Sequence, residues 1–265
     1  MATCYRHPRR ETGVSCSSCG RPICPDCMTP SPVGMRCPEC ARQRTSVHTL
    51  RSLAVEPTVT YVLIAVNVLM YLGSRSSARA NADLLLYGPA VEPGGQWYRL
   101  VTAGFLHAGL LHIFFNMYAL FWLGRMLEPV LGHARFGALY FASLLTGSLG
   151  VMIVSPTSPT VGASGAIFGL FGTAIVMGRN RGIDLMASGL LPTLLLNLGL
   201  TFFPGTHISV GGHVGGLIGG TITAIAIEEL AKRRRSPVPA LAVCAVVALA
   251  AAAGSIAYAG AKFAA

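Results

Sequence analysis

Seven apolar segments, near residues 57–74, 112–128, 135–154, 161–178, 184–203, 208–228 and 238–260, follow the polar, cysteine-rich residues 1–56. No other feature constrains the chain as strongly. A bilayer core about 30 Å thick takes about 20 apolar residues as helix, and every backbone polar group inside it must be satisfied by the segment itself. Several segments are slightly short, which implies tilt or local thinning of the bilayer. With 52% hydrophobic and only 11% charged residues, the composition excludes an ordinary soluble domain. The expected fold class is therefore an all-α membrane protein.

A net charge of +10 raises the question of nucleic acid, but the positions of the charges answer it. Arg6 to Arg51, Arg135, Arg179 with Arg181, and Lys232 to Arg235 fall on one side if the amino terminus is cytoplasmic. Arg75, Arg79, Arg99 and Lys262 are left for the other side. This is the positive-inside pattern, so the basic residues read as topology signals and no nucleic-acid partner is expected. The expectation is a multi-pass protein of the plasma (inner) membrane, N-terminus cytoplasmic and C-terminus outside. No early apolar stretch of the signal-peptide kind is visible.

Residues 1–45 form a separate module, joined by a linker over 46–56. Its ligand-type residues come in pairs: Cys4 with His7, Cys16 with Cys19, Cys24 with Cys27, and Cys37 with Cys40. Each pair has the spacing that clamps half of a tetrahedral zinc site, so eight ligands imply two structural Zn ions. Only four residues separate Cys19 from Cys24, which is tight for closing one site, whereas alternate pairing leaves gaps of sixteen and seventeen. That favours Cys4, His7, Cys24 and Cys27 on one ion, and Cys16, Cys19, Cys37 and Cys40 on the other. A disulfide framework fits seven cysteines and a histidine less well, and the cytosol is reducing. The arrangement resembles the cross-braced B-box type of zinc module. A cytoplasmic protein partner for it is compatible with the sequence, and so is none.

Beyond the module, residues 75–111 are too polar to span, yet carry Trp97, Tyr98, Phe105 and Leu106, as a segment lying in the membrane interface would. Under the expected topology the second, fourth and sixth segments all run inward from the outer surface, and each opens with polar residues. These are His112 and Asn116, four apart on one helix face, then Ser164, then His213. Intramembrane histidine and asparagine are costly unless paired or hydrated, and so point to a site, although a hydrogen-bonded clamp between helices would use the same residues. Glycines at 162, 165, 169 and 172, and at 212, 216 and 220, permit close helix approach, which would bring Ser164 Oγ within hydrogen-bond reach of His213. A serine beside a histidine base is an activated nucleophile. His112, Asn116 and the Ser164 N–H could then bind a developing oxyanion.

The chain closely resembles the rhomboid intramembrane serine proteases over about residues 55–230. The motifs are Trp97-Tyr98-Arg99, His107, His112 with Asn116, Glu128 with Gly132, Gly162-Ala-Ser-Gly165, and His213 with Gly216 and Gly220. The resemblance implies Ser164 as nucleophile and His213 as general base, a dyad without an acidic third member. It also implies an oxyanion hole of His112, Asn116 and the Ser164 amide shaped by Gly162, and an aromatic, here Phe168, packed on the base. Tyr98 stands between the tryptophan and arginine that are usually adjacent. By the same resemblance residues 57–230 are a six-helix core, and 231–265 add a basic loop and a seventh helix.

The function expected is a serine endopeptidase that cuts single-span transmembrane proteins in or near the bilayer, with no cofactor for catalysis. A non-catalytic rhomboid-like binder of transmembrane segments and a transporter are the rivals; the polar cluster near one face, away from the midplane, disfavours the transporter. Elsewhere, Glu128 is expected to pair with Arg125 and Arg135, His133 to sit in a loop, His107 and His207 to be solvated, and Cys244 to serve as a small apolar residue.

Overall fold

A computed structural model of the chain describes residues 2–42, 56–76, 78–92, 94–203, 205, 208–233 and 238–263. Of the expected linker over 46–56, residues 46–55 lie outside the described residues, as do Arg44, His207, Arg234 and Arg235. Two compact units divide between Ala54 and Val55.

The first unit is built from short pieces. Strands β1 (Ala2–Thr3) and β2 (Glu11–Thr12) pair antiparallel, as do β3 (Thr29–Ser31) and β4 (Gly34–Arg36). A 3-10 turn at Pro25–Cys27 and helix α1 (Pro38–Arg42) complete it. Its interior consists of Cys4, Cys16, Cys24, Cys27, Cys37 and Cys40 around one large apolar side chain, Ile23. One isoleucine cannot offset the conformational entropy of ordering this many residues, so sulfur and whatever it binds must hold the unit together.

The second unit is helical. Helix α2 (Thr58–Arg75) leads into three short helices, α3 (Ala78–Leu84), α4 (Gly88–Val91) and α5 (Arg99–Thr102), and a 3-10 turn at Ala103–Phe105. Six longer helices follow: α6 (Leu110–Leu131), α7 (His133–Val154), α8 (Ser164–Asn180), α9 (Leu190–Phe202), α10 (Val210–Arg233) and α11 (Val238–Phe263). The seven apolar segments thus correspond to α2 and α6 to α11. Five of these are long and apolar enough to cross a membrane; α8, with 17 residues, and α9, with 13, are shorter. At 1.5 Å per residue α9 extends only about 20 Å, so it cannot cross a full hydrocarbon core alone.

Glycine decides where the helices meet. A Cβ at Gly216 would overlap the Gly165 carbonyl, one at Gly220 would overlap the Gly169 backbone, and one at Gly150 would overlap the Gly211 carbonyl. Helices α7, α8 and α10 therefore touch backbone to backbone, as small residues allow inside a membrane where burying apolar surface gives no drive between helices. The last helix does not stand aside: α11 packs along α7 and against α4, and Tyr258 donates a 3.4 Å hydrogen bond to the Ile153 carbonyl.

Glu128 corrects an expectation. Its side chain, fully buried, accepts hydrogen bonds from the backbone N–H groups of Val59 and Thr60 at 2.8 Å and from the Thr60 hydroxyl at 2.6 Å. His133 Nδ1, from the first residue of α7, lies 2.6 Å from the same carboxylate. Arg125 instead lies over the Phe121 ring, and no ion pair joins Glu128 to Arg125 or Arg135 among the described residues. The physical reason is local. The first N–H groups of a helix lack intrahelical acceptors, Pro57 before α2 supplies no side-chain cap, and a carboxylate from α6 takes that place.

The first loop is fastened with comparable care. Arg99, 5% exposed, donates to the carbonyls of Ala82 at 2.8 Å and Leu85 at 2.7 Å and to the Gln96 side chain. Leu86 exchanges two backbone hydrogen bonds of 3.0 Å with Thr160. That bridge anchors the chain only four residues before Ser164.

Candidate active site and metal centres

Ser164 is the first residue of α8, so its N–H is one of the orphan donors of a helix start, and it has no backbone acceptor among the described residues. Two residues before it, Gly162 adopts φ 129°, a conformation that L side chains rarely take. Its N–H is held by the Ala103 carbonyl at 2.9 Å. A Cβ here would stand 2.9 Å from His112 Nε2 and 3.6 Å from Ser164 Oγ. The missing side chain therefore leaves a gap on which His112, Ser164 and the start of α8 all border.

His112 is oriented by the chain itself. The Ala108 N–H donates to Nδ1 at 3.3 Å, which leaves Nε2 to carry the proton of the neutral ring and places a donor toward the gap. Asn116, one turn further along α6, donates from Nδ2 to the His112 carbonyl at 2.8 Å. Its Oδ1 is buried without a hydrogen-bond partner among the described residues.

His213 lies in the first turn of α10 and is buried. Phe168 of α8 stacks on it, with ring centroids 4.0 Å apart and planes 19° off parallel. Sequence reasoning missed Thr201, whose Oγ1 lies 2.7 Å from His213 Nδ1. A lone threonine in an apolar helix ordinarily bonds the carbonyl one turn back, so nothing in the sequence singled it out.

Contact at Gly165, Gly212 and Gly216 brings the starts of α8 and α10 onto adjoining turns, but no hydrogen bond joins Ser164 Oγ to the His213 ring among the described residues. Catalytic hydrogen bonds are often open before substrate arrives. His107 departs from expectation. It is 5% exposed, not solvated, neither ring nitrogen has a hydrogen-bond partner among the described residues, and its ring meets that of His112 edge-on at 5.1 Å. The tight turn at Ala103–Phe105 and the fully buried Leu106 draw it inside.

These positions are the ones by which the chain can be compared with known proteins. A model of the rhomboid domain matches residues 94–229, just over half of the sequence. The chain belongs to the rhomboid family. Over 180 residues it is 37% identical to the rhomboid protease GluP of Bacillus subtilis (strain 168), covering 65% of this chain and 35% of that one. It is 38% identical over 184 residues to the "Putative rhomboid protease YdcA" of the same organism, covering 67% of this chain and 92% of that one. The rhomboid-like protease 1 of Toxoplasma gondii is 34% identical over 163 residues, 59% of this chain and 52% of its own. A rhomboid domain and apolar helices of this length make it a multi-pass membrane protein.

In the first unit the structure gathers Cys4, His7, Cys24 and Cys27, and separately Cys16, Cys19, Cys37 and Cys40, each set with its ligand atoms within 4.8 Å of one another. Both sets can hold a metal ion. Four sulfurs about 2.3 Å from a tetrahedral zinc would stand about 3.8 Å apart. Cys19 Sγ and Cys37 Sγ are 3.8 Å apart, and His7 Nδ1 lies 3.3 and 3.4 Å from Cys24 and Cys27 Sγ, so the residues fit. The surroundings favour thiolate at one cysteine of each set, whereas burial pushes Cys27 up to about 11 and the neighbouring Cys37 thiol leads the causes that push Cys40 up to about 12. At Cys4 burial pushes the thiol up, but N–H donors of Cys24, Arg6 and His7 outweigh it and bring it down to about 6. The Cys37 N–H, 3.3 Å from Cys16 Sγ, leads a set of donors that lowers Cys16 to about 6 as well.

Proposed function

We propose that this protein is an intramembrane serine endopeptidase in which Ser164 attacks the peptide carbonyl and His213 acts as general base. The observation that carries the proposal is the meeting at the Gly162 gap of the Ser164 hydroxyl, the orphan N–H of α8 and the His112 Nε2 donor, with His213 held by Phe168 on the adjoining turn. His213 takes the hydroxyl proton as Ser164 Oγ bonds to the carbonyl carbon. The charge that develops on the carbonyl oxygen is met by the Ser164 N–H, His112 Nε2–H and the Asn116 amide. Collapse of the intermediate expels the amine, which takes its proton from His213, and water then hydrolyses the acyl-enzyme by the same route. The substrates are single-span transmembrane proteins whose helix unwinds locally to expose a carbonyl, favoured by Gly or Pro near the cut.

The domains assigned are a zinc-binding module at 1–45, a linker at 46–56, a protease core at 57–230 and an added helical region at 231–265. The module's two sets each hold a structural Zn ion, and its purpose is architectural or to bind a cytoplasmic protein. The amino terminus lies in the cytoplasm and the carboxyl terminus outside, in the plasma membrane, as the distribution of arginine and lysine supports. The lack of a hydrogen bond between Ser164 Oγ and the His213 ring among the described residues favours one rival, a rhomboid-like binder that grips transmembrane segments without cutting.

The test is cleavage of a single-span reporter by the purified protein in liposomes, beside Ser164→Ala and His213→Ala, with fluorophosphonate labelling in parallel. Cleavage and labelling that need both residues support the protease. Cleavage that survives Ser164→Ala overturns the assignment of the nucleophile, and binding of the reporter without cleavage or labelling establishes the rival.

A further inference from the structure

We infer that Thr201 is the positioning residue that sets the tautomer and aim of His213. The inference rests on the reading of His213 as general base. Thr201 is 3% exposed on α9, a helix that supplies no residue to the expected dyad or oxyanion hole. Its Oγ1 lies 2.7 Å from the Asn197 carbonyl and 2.7 Å from His213 Nδ1.

The direction of both hydrogen bonds follows from the inventory of donors. A carbonyl oxygen only accepts, so at 2.7 Å the single hydroxyl proton of Thr201 goes to Asn197. What remains on Oγ1 is a pair of acceptor sites, and the contact to Nδ1 is then made by an imidazole N–H donating to it. A neutral ring with its proton on Nδ1 has Nε2 bare. Nε2 is the nitrogen left to face α8, because Nδ1 is occupied on the α9 side and Phe168 covers the ring face.

A base must be unprotonated at the atom that receives the nucleophile's proton. In a Ser–His pair with no acid, something else must exclude the opposite tautomer. A buried hydroxyl whose own proton is committed to a backbone carbonyl does this without introducing a charge into the membrane, where a carboxylate would be costly. When His213 takes the proton of Ser164, the Nδ1–H bond to Thr201 stays in place, so the ring does not reorient between proton uptake and delivery to the leaving amine.

Thr201→Val keeps the shape of the side chain and removes the acceptor; Thr201→Ser keeps the acceptor. In the reporter assay with full-length protein, Thr201→Val is expected to lower kcat about 10- to 100-fold at unchanged KM, in the range of an orienting group for a general base. Thr201→Ser is expected to return to within about threefold of the parent, the remainder reflecting one lost methyl contact. Thr201→Val with the parent's kcat overturns the inference, and so does an equal loss in both variants, which would mark a packing role. The 15N spectrum of histidine-labelled protein reads the tautomer directly, with the His213 signal assigned by its absence from His213→Gln. Proton on Nδ1 in the parent supports the inference; proton on Nε2 overturns it. That spectrum decides the point even if Thr201→Val fails to fold or the parent cuts nothing, so failure of the protease reading is told apart from failure of Thr201.

Discussion

The two units of this chain solve the same problem by opposite means. The first has almost no apolar interior: six buried cysteine sulfurs surround one isoleucine, and order depends on what the sulfurs bind. The second has apolar side chains in abundance but lives where they give little drive to pack, so its order depends on close backbone contact at glycines and on a few buried polar fastenings. In the first, stability is concentrated at two points. In the second it is spread over many, which leaves polar groups free to be placed for chemistry.

The most severe test of that contrast is metal removal. Chelation by a high-affinity chelator should abolish amide-exchange protection throughout residues 2–42, because the folded state there has no other core. Protection in the α7–α8–α10 contact should remain, and cleavage of the reporter should stay within about twofold of the untreated rate, since no group in the proposed mechanism belongs to the module. Loss of cleavage on chelation would break the separation between the units.

Next in size is the dyad. Ser164→Ala and His213→Ala should each lower kcat/KM by about 10⁴-fold or more, and the double variant should lose hardly more than either single one, because the two act as a unit. Their thermal stability should match the parent's. A double variant with the product of the single losses would mean that Ser164 and His213 work separately.

Glu128→Ala sharpens the structural half of the comparison. It strands the first N–H groups of α2 and the Thr60 hydroxyl in a buried place, and should cost about 3 kcal/mol of stability. The loss should appear in the membrane unit's unfolding transition, with the first unit's amide protection unchanged. An unfolding midpoint equal to the parent's would show that the carboxylate fastening is dispensable and that glycine contact alone holds α2.

Much of this was legible in the sequence, and the gaps have physical causes. Metal ligands announce themselves, because two-residue spacing within a half-site is fixed by the geometry of a tetrahedral ion; the grouping of Cys4, His7, Cys24 and Cys27 followed from loop lengths alone. Seven apolar segments could be counted because a bilayer core calls for long apolar runs, although the helices α8 and α9 are shorter than a full span. Contacts between distant residues are harder. Glu128 pairs with backbone at Val59 and Thr60, sixty-eight and more residues away, and backbone N–H groups carry no signal in a sequence, so the nearer arginines seemed the natural partners. His107 is expected near the outer interface and yet is buried, because a 3-10 turn redirects the chain. Thr201 was invisible for the reason given above: its ordinary bond to a carbonyl and its contact with His213 coexist in one hydroxyl.

The smallest expected effect concerns Phe168, where packing and chemistry meet in one side chain. Its ring lies 4.0 Å from that of His213 and, on its other side, stands edge-on to Phe171 at 6.2 Å; Phe171 is in turn 6.3 Å from Trp122. Leucine at this position keeps much of the volume and all of the apolar character, so Phe168→Leu should leave stability nearly unchanged. What it removes is the flat face against the imidazole, worth about 0.5–1.5 kcal/mol, or roughly 2- to 13-fold in an equilibrium between aimed and unaimed rings. Under the proposed mechanism the loss should fall on kcat and not on KM, since the ring packs on His213, the proposed base. A larger loss accompanied by a lower unfolding temperature would assign Phe168 to the packing of α8, and the contrast between a concentrated and a distributed interior would then extend into the active site itself.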